Sequence, residues 1–159
     1  MPVVLLQCKQ RFPADTPVRL IWGKGVMSKT LIATESDQIL PFATRPKFTA
    51  VFQCEKENPK AECSPLSAMH LRFSAPISRE QARAIVLRSS DGKTWKPQVD
   101  EQNVVYDVSF KSPFPEQAAF TVELPTGLKD EAERPLANAD KFPLSVRTDR
   151  YPPLAKFPA

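Results

Sequence analysis

The chain has 159 residues, of which 42% are apolar and 25% charged, the composition of a globular protein that can bury a full core. Its formal net charge of +4 comes from basic residues interleaved with acids, a pattern that does not favour nucleic-acid binding. The 17 prolines and 4 glycines disfavour long helices and glycine-rich phosphate-binding loops.

The first 45 residues predict a small N-terminal β-hairpin unit. Residues 3–6 form a short apolar run that predicts a buried strand. Cys8 lies beside this run, so we expect a buried thiol there, with a bond to another domain as the alternative. Alternation over residues 17–22 predicts a strand, and glycines within residues 23–25 predict a turn because glycine tolerates positive φ. A weaker strand pattern over residues 38–42 ends near a proline, which places the boundary near residue 45.

Residues 46–150 contain strand-sized segments at short spacing. Apolar and polar side chains alternate over residues 69–74, the period of a strand with one buried face. Pro76 predicts that the strand ends at or near this residue, because proline cannot donate to the ladder. Ser78 and Gln81 then form a capping-box pattern that predicts one helical turn. Residues 90–93, Ser-Asp-Gly-Lys, predict a hairpin turn.

Residues 104–110 predict a second long strand, with Val104, Tyr106, Val108 and Phe110 sharing one face. Strands recur through this region, whereas only one good helix start is present. The predicted fold class is therefore all-β: an Ig-like antiparallel β-sandwich with Greek-key connections, preceded by the hairpin unit.

Residues 151–159 predict a proline-rich exit linker. The two consecutive prolines at its start favour an extended and rigid path. Leu154 and Phe157 are apolar residues in this linker, and we predict that they dock on a neighbouring domain or on another copy of the chain. We also expect the chain to be a segment cut from a longer protein.

The three cysteines allow one short-range pair. Cys54 and Cys63 flank a polar loop, and a disulfide between them would remove loop-closure entropy worth about 2.7 kcal/mol in an oxidising compartment. Two free thiols are the alternative. The cysteines are too dispersed for a zinc finger. His70, the only histidine, is predicted to be an exposed strand residue rather than a metal ligand or a catalytic base.

Two further groups carry weaker functional signals. Asp130, Glu131, Glu133 and Asp140 lack the alternating acids, glycine and terminal glutamate of a calcium loop, so a solvated loop is predicted. Trp95 follows a hairpin turn and is a candidate sugar-stacking platform or interaction residue, whereas packing is predicted for Trp22. We therefore predict no catalytic residue, no metal and no cofactor. No stretch approaches the roughly 20 apolar residues of a membrane span, so we expect no direct membrane insertion by this segment.

Several motifs resemble known bacterial families. Residues 66–76, the capping turn at Ser78, and residues 121–124 followed by residues 127–130 resemble the bacterial Ig-like domains of envelope proteins. A more specific resemblance, to bacterial alpha-2-macroglobulins, covers nearly the whole chain. It rests on Arg11-Phe12, residues 18–26 (Val-Arg-Leu-Ile-Trp-Gly-Lys-Gly-Val), Phe114-Pro-Glu116 and residues 151–159 (Tyr-Pro-Pro-Leu-Ala-Lys-Phe-Pro-Ala).

The resemblance implies a non-catalytic scaffold domain of a large protease-trapping inhibitor in the bacterial periplasm or cell envelope. The implied partners are neighbouring domains of the same parent protein, and the parent would engage proteases. The Cys-x-Glu-Gln thioester motif of that family is absent from this sequence, so no reactive residue is carried over. The alternative is a carbohydrate- or surface-binding Ig-like adhesion module, in which Trp95 would contact the ligand.

Overall fold

The structure is a computed structural model that describes residues 5–99, 101 and 104–153. The chain divides into two compact units, Met1–Lys47 and Phe48–Ala159, which we call the hairpin unit and the sandwich unit. The boundary predicted from sequence lies nearby, at residue 45. None of the helices in the described ranges has the length and apolar character of a membrane span.

The hairpin unit is built on a two-stranded antiparallel ribbon. Strand β1 (Pro17–Trp22) pairs with strand β2 (Gln38–Ala43) in a regular register from Pro17↔Ala43 to Trp22↔Gln38. The turn after β1 uses Gly25 at a φ of +83°, a conformation that glycine adopts without a steric penalty. The predicted hairpin is therefore present, although its two strands expose most of their side chains.

The predicted buried strand at the start of the chain is wrong where the structure describes it. Leu5 and Leu6 are 90% and 58% exposed and lie outside any strand, whereas residues 3–4 lie outside the described residues. Cys8 is an exposed free cysteine rather than a buried thiol. An apolar run is buried only where another element covers it, and no described strand pairs with this one.

The sandwich unit contains two antiparallel sheets. One sheet has the order β3-β4-β7, and the other has the order β6-β5-β8-β9. The strands are β3 (Ala50–Gln53), β4 (Met69–Ser78), β5 (Val86–Ser89), β6 (Thr94–Trp95), β7 (Val104–Phe110), β8 (Ala119–Glu123) and β9 (Leu144–Arg147), with helix α1 (Arg79–Arg83) and a 3₁₀ turn (Ala139–Lys141). The all-β class and the antiparallel sheets agree with the sequence prediction.

A single apolar core lies between these two sheets. Its fully buried large apolar side chains come from strands of both sheets and from the segments next to them, and each contributes about 1.5–3 kcal/mol relative to an exposed position. They are Phe48, Met69, Leu71, Ile77, Ile85, Leu87, Val108, Phe110, Phe114, Phe120 and Val122. The inward residues of β4 follow the predicted alternation from Met69 to Phe73.

Strand β4 ends near Pro76, as predicted, but two residues beyond it. It continues to Ser78, with its register against β7 shifting between Arg72 and Ile77. Pro76 lies within this irregular stretch, where no regular ladder bond is required of it. Its carbonyl accepts a hydrogen bond from Glu131 N at 3.0 Å, so the bulge joins the strand to a distant loop.

The predicted inward face of β7 is wrong in the first half of the strand, which lies beside the same irregularity. Val105 is buried, as are Val108 and Phe110, whereas Val104 and Tyr106 are 42% and 57% exposed. The strand therefore changes its inward face between Val105 and Val108, beside the register shift of β4. Strict alternation could not predict this change because a bulge inserts residues without a pairing partner.

Two local predictions are confirmed. Ser78 caps helix α1, because its Oγ accepts hydrogen bonds from Gln81 N at 3.3 Å and from Gln81 Nε2 at 3.2 Å. The Asp-Gly turn joins β5 to β6, with Gly92 at a φ of +86°. Ser89 N donates to Lys93 O at 2.9 Å and closes this turn.

Candidate functional site

The structure joins Cys54 and Cys63 in a disulfide with a Cα–Cα distance of 5.5 Å. Cys54 directly follows β3 of the first sheet. Cys63 lies beside the end of β9 in the second sheet, where its N–H donates to Arg147 O at 3.0 Å and its carbonyl accepts from Asp149 N at 2.9 Å. The bridge therefore connects the edges of the two sheets covalently.

The chain after β9 is fastened to the same end of the sandwich unit. Tyr151 donates its hydroxyl to Phe114 O at 2.7 Å and its backbone N–H to Glu116 Oε2 at 3.2 Å. Asp149 O accepts from Gln117 N at 3.1 Å. The buried hydroxyl of Thr148 donates to Pro115 O at 2.6 Å. We call this region, the disulfide together with residues 148–151, the anchored corner.

A cleft of about 520 Å³ opens between the disulfide loop and the anchored chain. Acidic side chains from Glu55, Glu57, Glu62 and Asp149 line it together with basic ones from Lys56 and Arg150. Glu55 is fixed within this loop by a hydrogen bond from the Ser67 hydroxyl. In the described part of the chain, no group of three or more His, Cys, Asp or Glu side chains is placed to hold a metal ion.

The structure describes one of the three interaction residues predicted from sequence. Trp95 lies on β6 and is half-buried, with its ring centroid 5.3 Å from that of Phe120 and 6.0 Å from that of Phe114. Its ring therefore packs against the core, edge-to-face with Phe120 and tilted against Phe114, and aromatic pairs are stabilised in such arrangements. Leu154 and Phe157 lie outside the described residues.

His70 belongs to a small charged cluster on the outer face of the first sheet. Its Nδ1 lies 3.1 Å from Asp107 Oδ2 on the neighbouring strand. Arg72 Nε lies 3.7 Å from Asp107 Oδ1, a distance of ionic contact rather than of a hydrogen bond. The histidine is half-exposed, as predicted, and it stabilises the cross-strand pairing.

The acidic loop is not uniformly solvated, which corrects the sequence prediction. The side chain of Asp130 is fully buried. Its Oδ1 accepts from Ala132 N at 3.0 Å and from Arg134 N at 2.9 Å, while its Oδ2 lies 2.6 Å from the Arg134 guanidinium. Glu131, Glu133 and Asp140 are exposed, as predicted for a solvated loop.

Hydrogen bonding determines the charge state of Asp130. Burial by itself raises the pKa of the carboxyl, but the N–H groups of Arg134 and Ala132 and the Arg134 guanidinium outweigh it, so the pKa is lowered from its ordinary value. Asp130 is therefore a structural carboxylate that closes its own loop. The preference of aspartate for binding backbone N–H groups two or more residues ahead was the sequence signal for this role.

Comparisons with protein-family models, curated proteins and solved structures found no match for this chain.

Proposed function

We propose that the chain is a non-catalytic scaffold segment of a bacterial alpha-2-macroglobulin-like, protease-trapping protein of the periplasm or cell envelope. In this proposal the sandwich unit is an Ig-like domain with Greek-key connections. Its role is mechanical, because a rigid module holds neighbouring domains in place and passes on their movements. The motif resemblance over residues 18–26 and 151–159 supports the family.

The observation that carries the mechanical role is the anchored corner. A domain transmits displacement only if the chain that leaves it is fixed to its body. Here the disulfide joins the sheet edges, and the Tyr151 hydroxyl and backbone N–H hold the departing chain. Pro152 and Pro153 then restrict the next two φ angles. The disulfide also supports an oxidising location, where such bonds persist.

Amide hydrogen exchange tests the rigid corner directly. The N–H groups of Gln117 and Asp149 donate within it, so we expect both to exchange as slowly as the amides of β8. Tyr151→Ala should accelerate exchange at both positions, whereas Tyr106→Ala, which removes an exposed tyrosine, should leave it unchanged. Fast exchange at both amides in the unmodified chain would contradict the mechanical proposal.

Two experiments test the family assignment. The complete coding sequence should contain further domains and either a lipid-anchor signal upstream or a Cys-x-Glu-Gln motif downstream. The isolated chain should neither inhibit a protease nor react with methylamine, whereas a parent with a thioester should do both. Substrate turnover or protease inhibition by the isolated chain would contradict the proposal.

Carbohydrate or surface binding through Trp95 remains an alternative prediction. The contacts of its indole ring with Phe114 and Phe120 favour a packing role. Specific glycan binding that Trp95→Ala abolishes, with an unchanged fold, would favour the adhesion module over the scaffold.

A further inference from the structure

The ladder of the hairpin unit shows which backbone groups of β1 and β2 point outward. Thr44 N donates to Thr16 O at 3.0 Å, and this pair continues the register of β1 with β2. Because hydrogen-bonded and non-hydrogen-bonded pairs alternate in an antiparallel ladder, the pairs Arg19↔Pro41 and Ile21↔Ile39 are non-hydrogen-bonded. Their backbone groups therefore point away from the ribbon.

The two edges of the ribbon differ in what they offer a further strand. On β2, the central outward position is occupied by Pro41, which has no N–H to donate. On β1, Arg19 and Ile21 present consecutive outward N–H and C=O groups. Within the described residues, no backbone hydrogen bond beyond the β1–β2 ladder involves either of them. Pro17 occupies the first outward position of β1, so the row of donors is interrupted at the end of β1 but at the centre of β2. The edge of β1 therefore offers a further strand the longer uninterrupted row of N–H groups.

The side chains along β1 define the partner. One face of the ribbon carries Val18, Leu20 and Trp22, which lie beside the exposed Leu40 and Phe42 of β2. The opposite face carries Arg19 and Ile21. A strand added to β1 would place alternate side chains on these two faces, so it needs apolar residues on the first face and an acidic residue beside Arg19 on the second.

The net positive charge of the hairpin unit also favours a partner strand with acidic residues. The sequence of Met1–Lys47 has seven Lys and Arg against three Asp and Glu. Two of those acids accept backbone N–H groups, since Asp15 accepts from Lys47 at 3.3 Å and Asp37 from Lys24 at 2.7 Å. Within the described residues, Arg19 forms no ion pair with an acid.

We propose that the open edge of β1 binds an extended polypeptide strand of alternating apolar and acidic residues and makes the ribbon a three-stranded sheet. This is strand addition, in which backbone hydrogen bonds supply affinity and alternate side chains supply specificity. A two-stranded ribbon is marginally stable alone, and a third strand would stabilise it. This binding surface goes beyond the scaffold role and does not depend on it.

The test uses the full chain and two synthetic probes. One probe is a six-residue peptide of alternating valine and glutamate, and the other replaces glutamate with lysine. In a titration followed by NMR, the glutamate peptide should slow amide exchange at Arg19 and Ile21. Its affinity should exceed that of the lysine peptide by about two- to fivefold, the range of one exposed ion pair. Arg19→Glu should reverse this preference.

A matched pair of proline variants locates the edge. Ile21→Pro removes an outward N–H from β1 and should weaken binding of the glutamate peptide by about two- to tenfold, the value of one backbone hydrogen bond. Ile39→Pro makes the same change on β2 and should leave binding unchanged. Protected amides at Leu20 and Leu40 would show that both variants keep the ribbon.

Four results would overturn the proposal. The first is unchanged amide exchange at Arg19 and Ile21 when the glutamate peptide is saturating or at millimolar concentration. The second is equal affinity for the glutamate and lysine peptides. The third is self-association of the chain by sedimentation equilibrium that Ile21→Pro abolishes, because the edge would then serve a second copy. The fourth is loss of binding with Ile39→Pro but not with Ile21→Pro, because the added strand would then lie on the edge of β2.

Discussion

Asp130→Ala offers the sharpest test of how the sandwich unit is held together. The carboxylate is buried and accepts from two backbone N–H groups and from the Arg134 guanidinium. Removing a buried acceptor costs about 1–3 kcal/mol for each group that loses its bond, and more where charge is involved. Partial access of water to the loop reduces the sum, so we expect a loss of about 3 kcal/mol.

Urea denaturation measures this loss. For a slope of about 1.5 kcal/mol per molar urea, the unfolding midpoint should fall by about 2 M. Asp140→Ala is the matched control, because Asp140 is an exposed acid near the same loop, and it should change the free energy of unfolding by less than about 0.5 kcal/mol. A loss below 1 kcal/mol for Asp130→Ala would refute the structural role.

The effect of Asp130 should also depend on pH with a defined sign. Because its folded pKa is lowered, the stabilisation is fully present above the unfolded pKa of about 3.9. It is lost as the pH falls through the folded pKa. The difference in unfolding free energy between the unmodified chain and Asp130→Ala should therefore be constant near neutral pH and shrink below about pH 4. A difference that grows on acidification would contradict this reasoning.

Three further variants, one of them with its own control, test separate parts of the fold. Leu71→Ala should destabilise the sandwich unit by about 2–5 kcal/mol in urea denaturation, because the side chain is fully buried. Replacing both Cys54 and Cys63 by serine should cost about 2.7 kcal/mol through loop-closure entropy, whereas Cys8→Ser should have no effect since Cys8 is an exposed free cysteine. Gly92→Ala should cost about 1 kcal/mol because its φ is +86°, and a thermal scan that finds no change would contradict the turn geometry.

The sequence predicted the elements whose signals are local. Alternation from Met69 to Phe73 gave the inward face of β4, the Ser78–Gln81 pattern gave the helix cap, and Asp91-Gly92 gave the hairpin turn. In each case the residues that determine the geometry lie within a few positions of one another. Local steric and hydrogen-bonding preferences therefore decide the outcome before tertiary packing contributes.

The features that the sequence did not predict correctly have a common physical cause. Each of them depends on contacts with segments that are distant in the chain. The inward face of β7 changes beside a register shift in β4, more than twenty residues earlier in the chain. The exposure of Leu5 and Cys8 depends on whether another strand covers them. The anchored corner depends on bonds between residues 114–117 and 149–151. No periodicity within a single segment contains this information.

Several prolines lie inside strands rather than in the connections between them. The prolines predicted stiff connections, yet Pro17 and Pro41 lie within paired strands and Pro76 lies inside β4. All three occupy positions where no ladder N–H is needed, two on outward edges of the ribbon and one in a bulge. A proline at an outward position interrupts the row of N–H donors that a further strand would need. Pro17 does so at the first position of β1 and Pro41 at the centre of β2, so the longer uninterrupted row of donors, Arg19 and Ile21, lies on β1.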